Sequence, residues 1–321
     1  MLLQSSLLFL AGFVILIKGA DWLVDGACSL AKRLRISDLL VGLTIVAFGT
    51  SAPELFVNIF ASMRGNADIA IGNILGSNTA NVLLILGASA VIHPLMVHKK
   101  TVWREIPFAL LAAVVILILG NDTFLDGTAW SGLSRTDGLI LIAFFSIFLH
   151  DMFYRSKIEP DITTESMAKV FPMGKTVILI ILGLIGLVLG ADWVVDSAVS
   201  IAEGIGVSKA LIGLTIVAVG TSLPELVTST VAAYRGNTDI AVGNIVGSNI
   251  FNIFWILGLS ASIRPLPFSP SANPDIGLVI LSSFLLFLFT FLGKRHHVSR
   301  NNGLCFLILY AAYFVFLVLR G

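Results

Sequence analysis

The sequence predicts an all-α integral membrane protein of ten transmembrane helices, arranged as two inverted five-helix repeats. Three observations lead there. The 321 residues are 57% hydrophobic and 12% charged, against roughly 25% charged in a soluble domain. Apolar runs such as Phe108–Leu119, Val177–Leu189, Ile276–Leu292 and Leu304–Leu319 approach the ~20 residues that cross a ~30 Å hydrocarbon core. The chain also repeats itself. Residues 42–87 align with 213–258 at an offset of 171, without a gap and with 29 identities in 46 positions, where unrelated stretches would share about three.

Taken in order, the apolar runs and the polar residues between them place helices over 5–30, 36–63, 68–92, 102–120, 136–153, 175–201, 208–234, 239–262, 275–292 and 303–319. The first has no basic leading segment and no small-residue cleavage site before Lys18, so it reads as a span and not as a signal peptide. The second carries GLTIVAFGTSAPEL over Gly42–Leu55, and the seventh carries GLTIVAVGTSLPEL over Gly213–Leu226. The third and eighth carry Gly72–Asn78 and Gly243–Asn249, each after an Arg-Gly-Asn turn at Arg64–Asn66 or Arg235–Asn237. Five is odd, so the sixth helix starts on the opposite side from the first and the halves are inverted about an axis in the membrane plane.

The chain therefore divides into a first repeat over 1–153, a cytoplasmic linker over 154–174 with Pro160 and Pro172, and a second repeat over 175–321. Loops on the linker's side carry 14 basic residues, including Lys32, Arg33, Arg35, Lys99, Lys100 and Arg235, and those on the other side carry five. By the positive-inside rule this predicts a multi-pass protein of the cell (inner) membrane with both termini on the non-cytoplasmic side. A net charge of +1 with no basic stripe gives nucleic acid nothing to bind. Cys28 and Cys305 are far apart, and the five His share no ligand spacing, so neither a disulfide nor a zinc site is expected.

The duplicated segment carries the chemistry. Pro53 supplies no N–H to the carbonyl of Gly49, and Pro224 repeats this at Gly220. In hydrocarbon a freed carbonyl is tolerated only where it lines a cavity or meets a cation. Glu54 and Glu225 follow the prolines, and each costs about 2.5–3.5 kcal/mol at the bilayer centre unless a cavity or counter-charge receives it. Two carboxylates, freed carbonyls and the hydroxyls of Thr50, Ser51, Thr221 and Ser222 make the hard, all-oxygen setting that Ca²⁺ prefers. Na⁺ is similar in size and hardness. On the following helices Asn73, Ser77 and Asn81, and Asn244, Ser248 and Asn252, step by four along one face. Gly72 with Gly76, and Gly243 with Gly247, permit close backbone approach.

GTSxPE on the second helix of each half, GNxxGSN on the third, and the two Gly-Ala-Asp-Trp copies at Gly19–Trp22 and Gly190–Trp193 together resemble the sodium/calcium exchanger branch of the cation/Ca²⁺ antiporters, in its prokaryotic form. The resemblance spans nearly the whole chain. It implies Na⁺/Ca²⁺ antiport at 3:1, four central sites in a diamond, and alternating access as the first and sixth helices slide past a fixed core. Carried over by position, Glu54 and Glu225 are the bidentate ligands shared by Ca²⁺ and Na⁺, and Thr50 and Thr221 offer carbonyls to Ca²⁺. Ala47, Ser51, Ser77, Ala218, Ser222 and Ser248 supply flanking Na⁺ sites, and Asn81 and Asn252 lie beside the middle one. Some members carry Asp where this chain has Asn252, an acid associated with K⁺ co-transport or a protonated middle site. The amide here argues against K⁺ dependence. Ca²⁺ and Na⁺ are expected as substrates, the lipid bilayer as surroundings, and no cofactor.

Two other classes remain as alternatives: a Ca²⁺/H⁺ antiporter using the same carboxylates, and a passive cation channel. An enzyme is not expected, because no Ser-His-Asp, His-Glu-x-x-His or diphosphate-binding motif falls within the spans. No P-loop occurs, and no loop is long enough for a nucleotide domain. Asp21, Asp25, Asp192 and Asp196 beside Trp22 and Trp193 read either as an ion vestibule or as solvated helix ends with an interfacial tryptophan, and the second is favoured. Lys18 pairs with Asp21 or snorkels. Asp68 and Asp239 are expected to suit helix N-termini.

Overall fold

The computed structural model describes residues 2–127, 129–158, 169–205, 218–292 and 295–320. The long elements are α1 (Leu2–Leu34), α2 (Asp38–Thr50), α3 (Ala52–Arg64), α4 (Ala67–Ile92), α5 (Lys99–Leu119), α6 (Arg135–Ile158), α7 (Met173–Gly204), α8 (Leu223–Tyr234), α9 (Thr238–Ile263), α10 (Asn273–Phe289) and α11 (Arg300–Arg320). Among the described residues eight helices are long and apolar enough to cross a bilayer, and α2 with α3 makes a ninth if that bent pair is one span. The helix expected over 208–234 lies partly outside the described residues; its described part is the turn Ala218–Gly220 and α8.

Local chemistry sets the ends. Ser37 caps α2 by accepting the Leu40 N–H at 3.2 Å. The two Arg-Gly-Asn turns stop α3 and α8 in the same way. Gly65 and Gly236 take φ of +79° and +76°, a left-handed conformation that glycine adopts without a Cβ clash. Asn66 N–H then reaches back to the Ala61 carbonyl and Asn237 N–H to that of Ala232, both at 2.9 Å, closing each helix with the wrap typical of a glycine C-cap.

α1 and α7 have 33 and 32 residues, which at 1.5 Å per residue is about 50 Å, longer than the hydrocarbon core is thick. They lie antiparallel against each other. A Cβ on Gly12 would stand 3.0 Å from the Gly190 carbonyl, and one on Gly19 would stand 2.9 Å from that of Gly183. Gly190 and Gly183 are the repeat equivalents of Gly19 and Gly12, so each contact is the mirror of the other. Backbones touch here because no side chain intervenes.

Inside this frame sit α4 and α9, whose most apolar windows are 72% and 94% buried, whereas α11 at 11% lies on the rim. Gly243 and Gly247 do bring α9 onto α2: a Cβ there would meet the Leu39 and Leu43 carbonyls at 2.9 and 2.7 Å. The equivalent partner stretch for Gly72 and Gly76 lies outside the described residues. Two ribbons tie loops at the ends of the bundle. Leu95–Met96 (β1) pairs with His297–Val298 (β4), and Gly132–Leu133 (β2) pairs with Leu266–Pro267 (β3), both antiparallel.

Candidate cation-binding site

The break foreseen between Gly49 and Pro53 falls at Ser51, whose φ and ψ of −81° and 8° end α2, and α3 departs at 48°. Ser222 repeats the conformation at −88° and 5° before α8. Proline is tolerated in the first turn of each new helix, where its missing N–H would have no partner anyway. The next residue, Glu54 or Glu225, therefore points from the start of a helix into the protein. Both are 1% exposed.

The two acids share one cage. Glu54 Oε1 has Ser77 Oγ at 3.3 Å and Ser222 Oγ at 3.4 Å. Glu225 Oε1 has Ser248 Oγ at 3.4 Å and Ser51 Oγ at 2.9 Å. Each carboxylate thus touches a serine of its own repeat and a serine of the other. The serines also meet in pairs, Ser51 with Ser248 at 3.0 Å and Ser222 with Ser77 at 3.3 Å. Every contact has its partner under the 171-residue offset, as a two-fold relation between halves requires.

Asn81 and Asn252 stand at π-helical stretches, Asn81–Leu86 and Phe251–Leu257. Such bulges recur at functional sites. Their amide nitrogens donate to Asn249 Oδ1 and Asn78 Oδ1, each at 2.9 Å. Asn78 and Asn249 in turn donate to each other's backbone carbonyl, at 3.3 and 3.5 Å. Sequence reading quoted these two as part of a motif and gave them no task. Their signal was the asparagine directly after the repeated Gly-Ser.

One oxygen of each key side chain is left over. Glu54 Oε2, Glu225 Oε2, Asn81 Oδ1, Asn252 Oδ1 and Thr221 Oγ1 are buried and have no hydrogen-bond partner among the described residues. None of the ion pairs formed by described residues reaches either glutamate. Unpaired buried acceptors are expensive, and two of these belong to carboxylates that share one serine cage, which makes that cage a place for positive charge.

The other expected residues surround this centre. Ala47 is buried and its Cβ stands 2.8 Å from where a Gly247 Cβ would lie. Thr50 is buried and donates to Asn244 Oδ1 at 3.0 Å, and Asn244 donates to Ser229 at 2.9 Å. Asn73 turns aside to Asn58 at 2.7 Å, so it belongs to a support network and not to the cage. Ala218 is placed by its backbone alone, one turn before Ser222.

A cavity of about 360 Å³ opens onto the break. It is lined by Pro53, Phe56, Asp192, Asp196, Gly220 and Thr221 among others. Asp192, Asp196, Trp22 and Trp193 are exposed, as solvated helix ends with an interfacial tryptophan would be, and two features add to that. Asp192 and Asp196 face a cavity that reaches Thr221, and their equivalents Asp21 and Asp25 are bound by Arg235 at 2.6 and 2.7 Å. Lys18 does pair with Asp21, at 3.8 Å. Asp239 does more than suit a helix N-terminus, because His98 Nε2 lies 3.0 Å from its Oδ2.

The whole chain has known counterparts. The family model described as sodium/calcium exchanger protein matches residues 4–153 and 175–319. The sodium/calcium exchanger MaX1 of Methanosarcina acetivorans is 32% identical, over 99% of this chain and 99% of its own. The inner membrane protein YrbG of Escherichia coli is 36% identical, over 90% and 89%. Among solved structures, that of the sodium-calcium exchanger NCX_Mj soaked with zero Na⁺ and Ca²⁺ superposes with a TM-score of 0.84 at 34% identity, covering 99% of this chain and 100% of the other. Helical architecture, inverted repeats and matched motifs agree: this chain belongs to the sodium/calcium exchanger protein family and is a multi-pass membrane transporter, not an enzyme.

Proposed function

We propose that this protein is a secondary antiporter that exchanges Na⁺ for Ca²⁺ by alternating access around Glu54 and Glu225. The observation that carries the reading is the set of buried, unpartnered oxygens: one from each glutamate, in a cage built by both repeats, and one from each of Asn81 and Asn252. Two carboxylates are neutralised by one Ca²⁺ or by two or more Na⁺. One small cage cannot hold both sets, so the ions compete, and competition at a site open to one side at a time is exchange. In this reading Glu54 and Glu225 bind either ion, and Thr50 and Thr221 add carbonyls for Ca²⁺. Ser51, Ser77, Ser222, Ser248, Ala47 and Ala218 serve flanking Na⁺ positions, and Asn81 and Asn252 complete the middle.

Ten crossings fit this reading. β1 pairs with β4, so Met96 and His297 lie at the same end of the bundle, and an even number of crossings must separate them. Five long apolar helices of the described residues, α5, α6, α7, α9 and α10, lie between them. The helix expected from the sequence over 208–234, partly outside the described residues, would be the sixth and would restore the parity. With the basic loops inside, both termini face outward.

The test is ⁴⁵Ca²⁺ uptake into vesicles holding the purified protein. Uptake that needs Na⁺ inside and stops when the Na⁺ gradient is removed supports the proposal. Uptake driven by a pH gradient alone, without Na⁺, would replace it with Ca²⁺/H⁺ exchange, and uptake that neither saturates nor counter-exchanges would mark a channel.

A further inference from the structure

The duplicated sequence carries a second repeated constellation outside the cage. Asp21, Asp25 and Arg235 of one end have the equivalents Asp192, Asp196 and Arg64 at the other, all at the offset of 171. The structure treats the two sets differently. Arg235 Nη2 binds Asp21 Oδ1 at 2.6 Å and Nη1 binds Asp25 Oδ1 at 2.7 Å, fastening α1 to the turn after α8. Among the described residues Arg64 forms no ion pair, and Asp192 and Asp196 line the 360 Å³ cavity instead. Packing follows the same asymmetry. Val24 is 2% exposed behind the formed pair, whereas its equivalent Val195 lines the cavity.

We infer that these six residues are alternating latches of the transport cycle. Arg235 holds α1 shut over one entrance in this state, and Arg64 takes up Asp192 and Asp196 over the other when the direction of access reverses. α1 and α7 touch backbone to backbone through Gly12, Gly19, Gly183 and Gly190, so they move as one unit. A displacement that brings α7 onto Arg64 must then draw α1 off Arg235. One latch opens as the other closes, and the near-equal chemistry of the two keeps the two states close in free energy. They are not identical: Lys18, 3.8 Å from Asp21, has Leu189 as its equivalent, so a competing cation weakens only the first latch.

The inference rests on the alternating-access reading above, but its test reads conformation and not ion flux. In a full-length Cys28→Ser, Cys305→Ser background, single Val24→Cys and Val195→Cys variants are labelled in detergent with a bulky charged maleimide. Val24→Cys reacts only through the minor state. Arg235→Gln should raise its labelling rate about threefold to tenfold, the value of two partly exposed ion pairs, and lower that of Val195→Cys. Arg64→Gln should lower the Val24→Cys rate. Rates unmoved by Arg235→Gln, or moved the same way by both substitutions, would overturn the inference. A variant that merely loosens the fold raises labelling at both sites. The charge-swapped Asp25→Arg, Arg235→Asp protein then decides: the parent rates return if the latch is real and do not if it is not. Loss of Na⁺-driven uptake in vesicles would count against the exchange reading alone.

Discussion

The acids at the centre were legible in the sequence, because a glutamate inside an apolar run is costly enough to demand a reason and here occurs twice. What they touch was not. No spacing rule places Ser51 beside Glu225 or Ser222 beside Glu54, since those contacts come from folding one repeat onto the other. The roles of Asn78 and Asn249 were hidden for the same reason: both act across the two-fold. Each accepts the amide N–H of Asn252 or Asn81 and so fixes that side chain while its own oxygen stays buried and unpartnered. Asn78→Ala should therefore raise the half-saturating Na⁺ concentration about threefold to twentyfold, the range of hydrogen bonds between membrane helices, with the maximal rate less affected. In a double-mutant cycle with Asn252→Ala the second loss should be much smaller than the first, because the two side chains form one unit.

At the scale of elements, the boundaries of α4 and the break in the second span followed from apolar length and from Gly-x-x-x-Pro, whereas α1 runs on to Leu34, four residues past the expected end. The π-helical stretches at Gly42–Val46, Asn81–Leu86 and Phe251–Leu257 had no such signal, because a single extra residue in a turn leaves the apolar period almost unchanged. The glycines of α1 and α7 were visible as small residues, but their pairing was not. Gly183 sits where a Cβ would meet the Leu23 nitrogen at 2.7 Å, and Gly19 where one would meet the Leu187 nitrogen at 2.8 Å. Backbone cannot step aside as a side-chain tip can. Gly183→Leu should cost about 1–3 kcal/mol of stability through overpacking, read as a lower melting temperature in detergent. Because α1 and α7 share the face, Gly19→Leu should resemble it, while Gly174→Leu, which meets nothing within 4 Å, should match the parent.

For the whole molecule, the inverted architecture was implied by arithmetic alone: two copies of five helices must point opposite ways. The state of the machine was beyond that arithmetic. Duplicated sequence predicts two equivalent ends, and the structure breaks the equivalence by pairing Arg235 with Asp21 and Asp25 while Asp192 and Asp196 line a cavity. Under the proposed alternating access, identical residues in unlike surroundings are what one phase of a symmetric cycle would present. A cycle that moves three Na⁺ against one Ca²⁺ carries one net charge, so 100 mV across the vesicle contributes about 2.3 kcal/mol. Clamping the potential with a K⁺ ionophore should then shift the Ca²⁺ gradient held at balance by about fiftyfold per 100 mV, whereas an electroneutral exchanger would not respond. The most direct measurement of the central claim is Na⁺-dependent ⁴⁵Ca²⁺ exchange by the Glu54→Gln and Glu225→Gln proteins beside the parent. Each substitution removes one of the two charges that the cations must balance, and exchange in each should fall at least a hundredfold with the protein still folded; undiminished exchange in both would contradict the account.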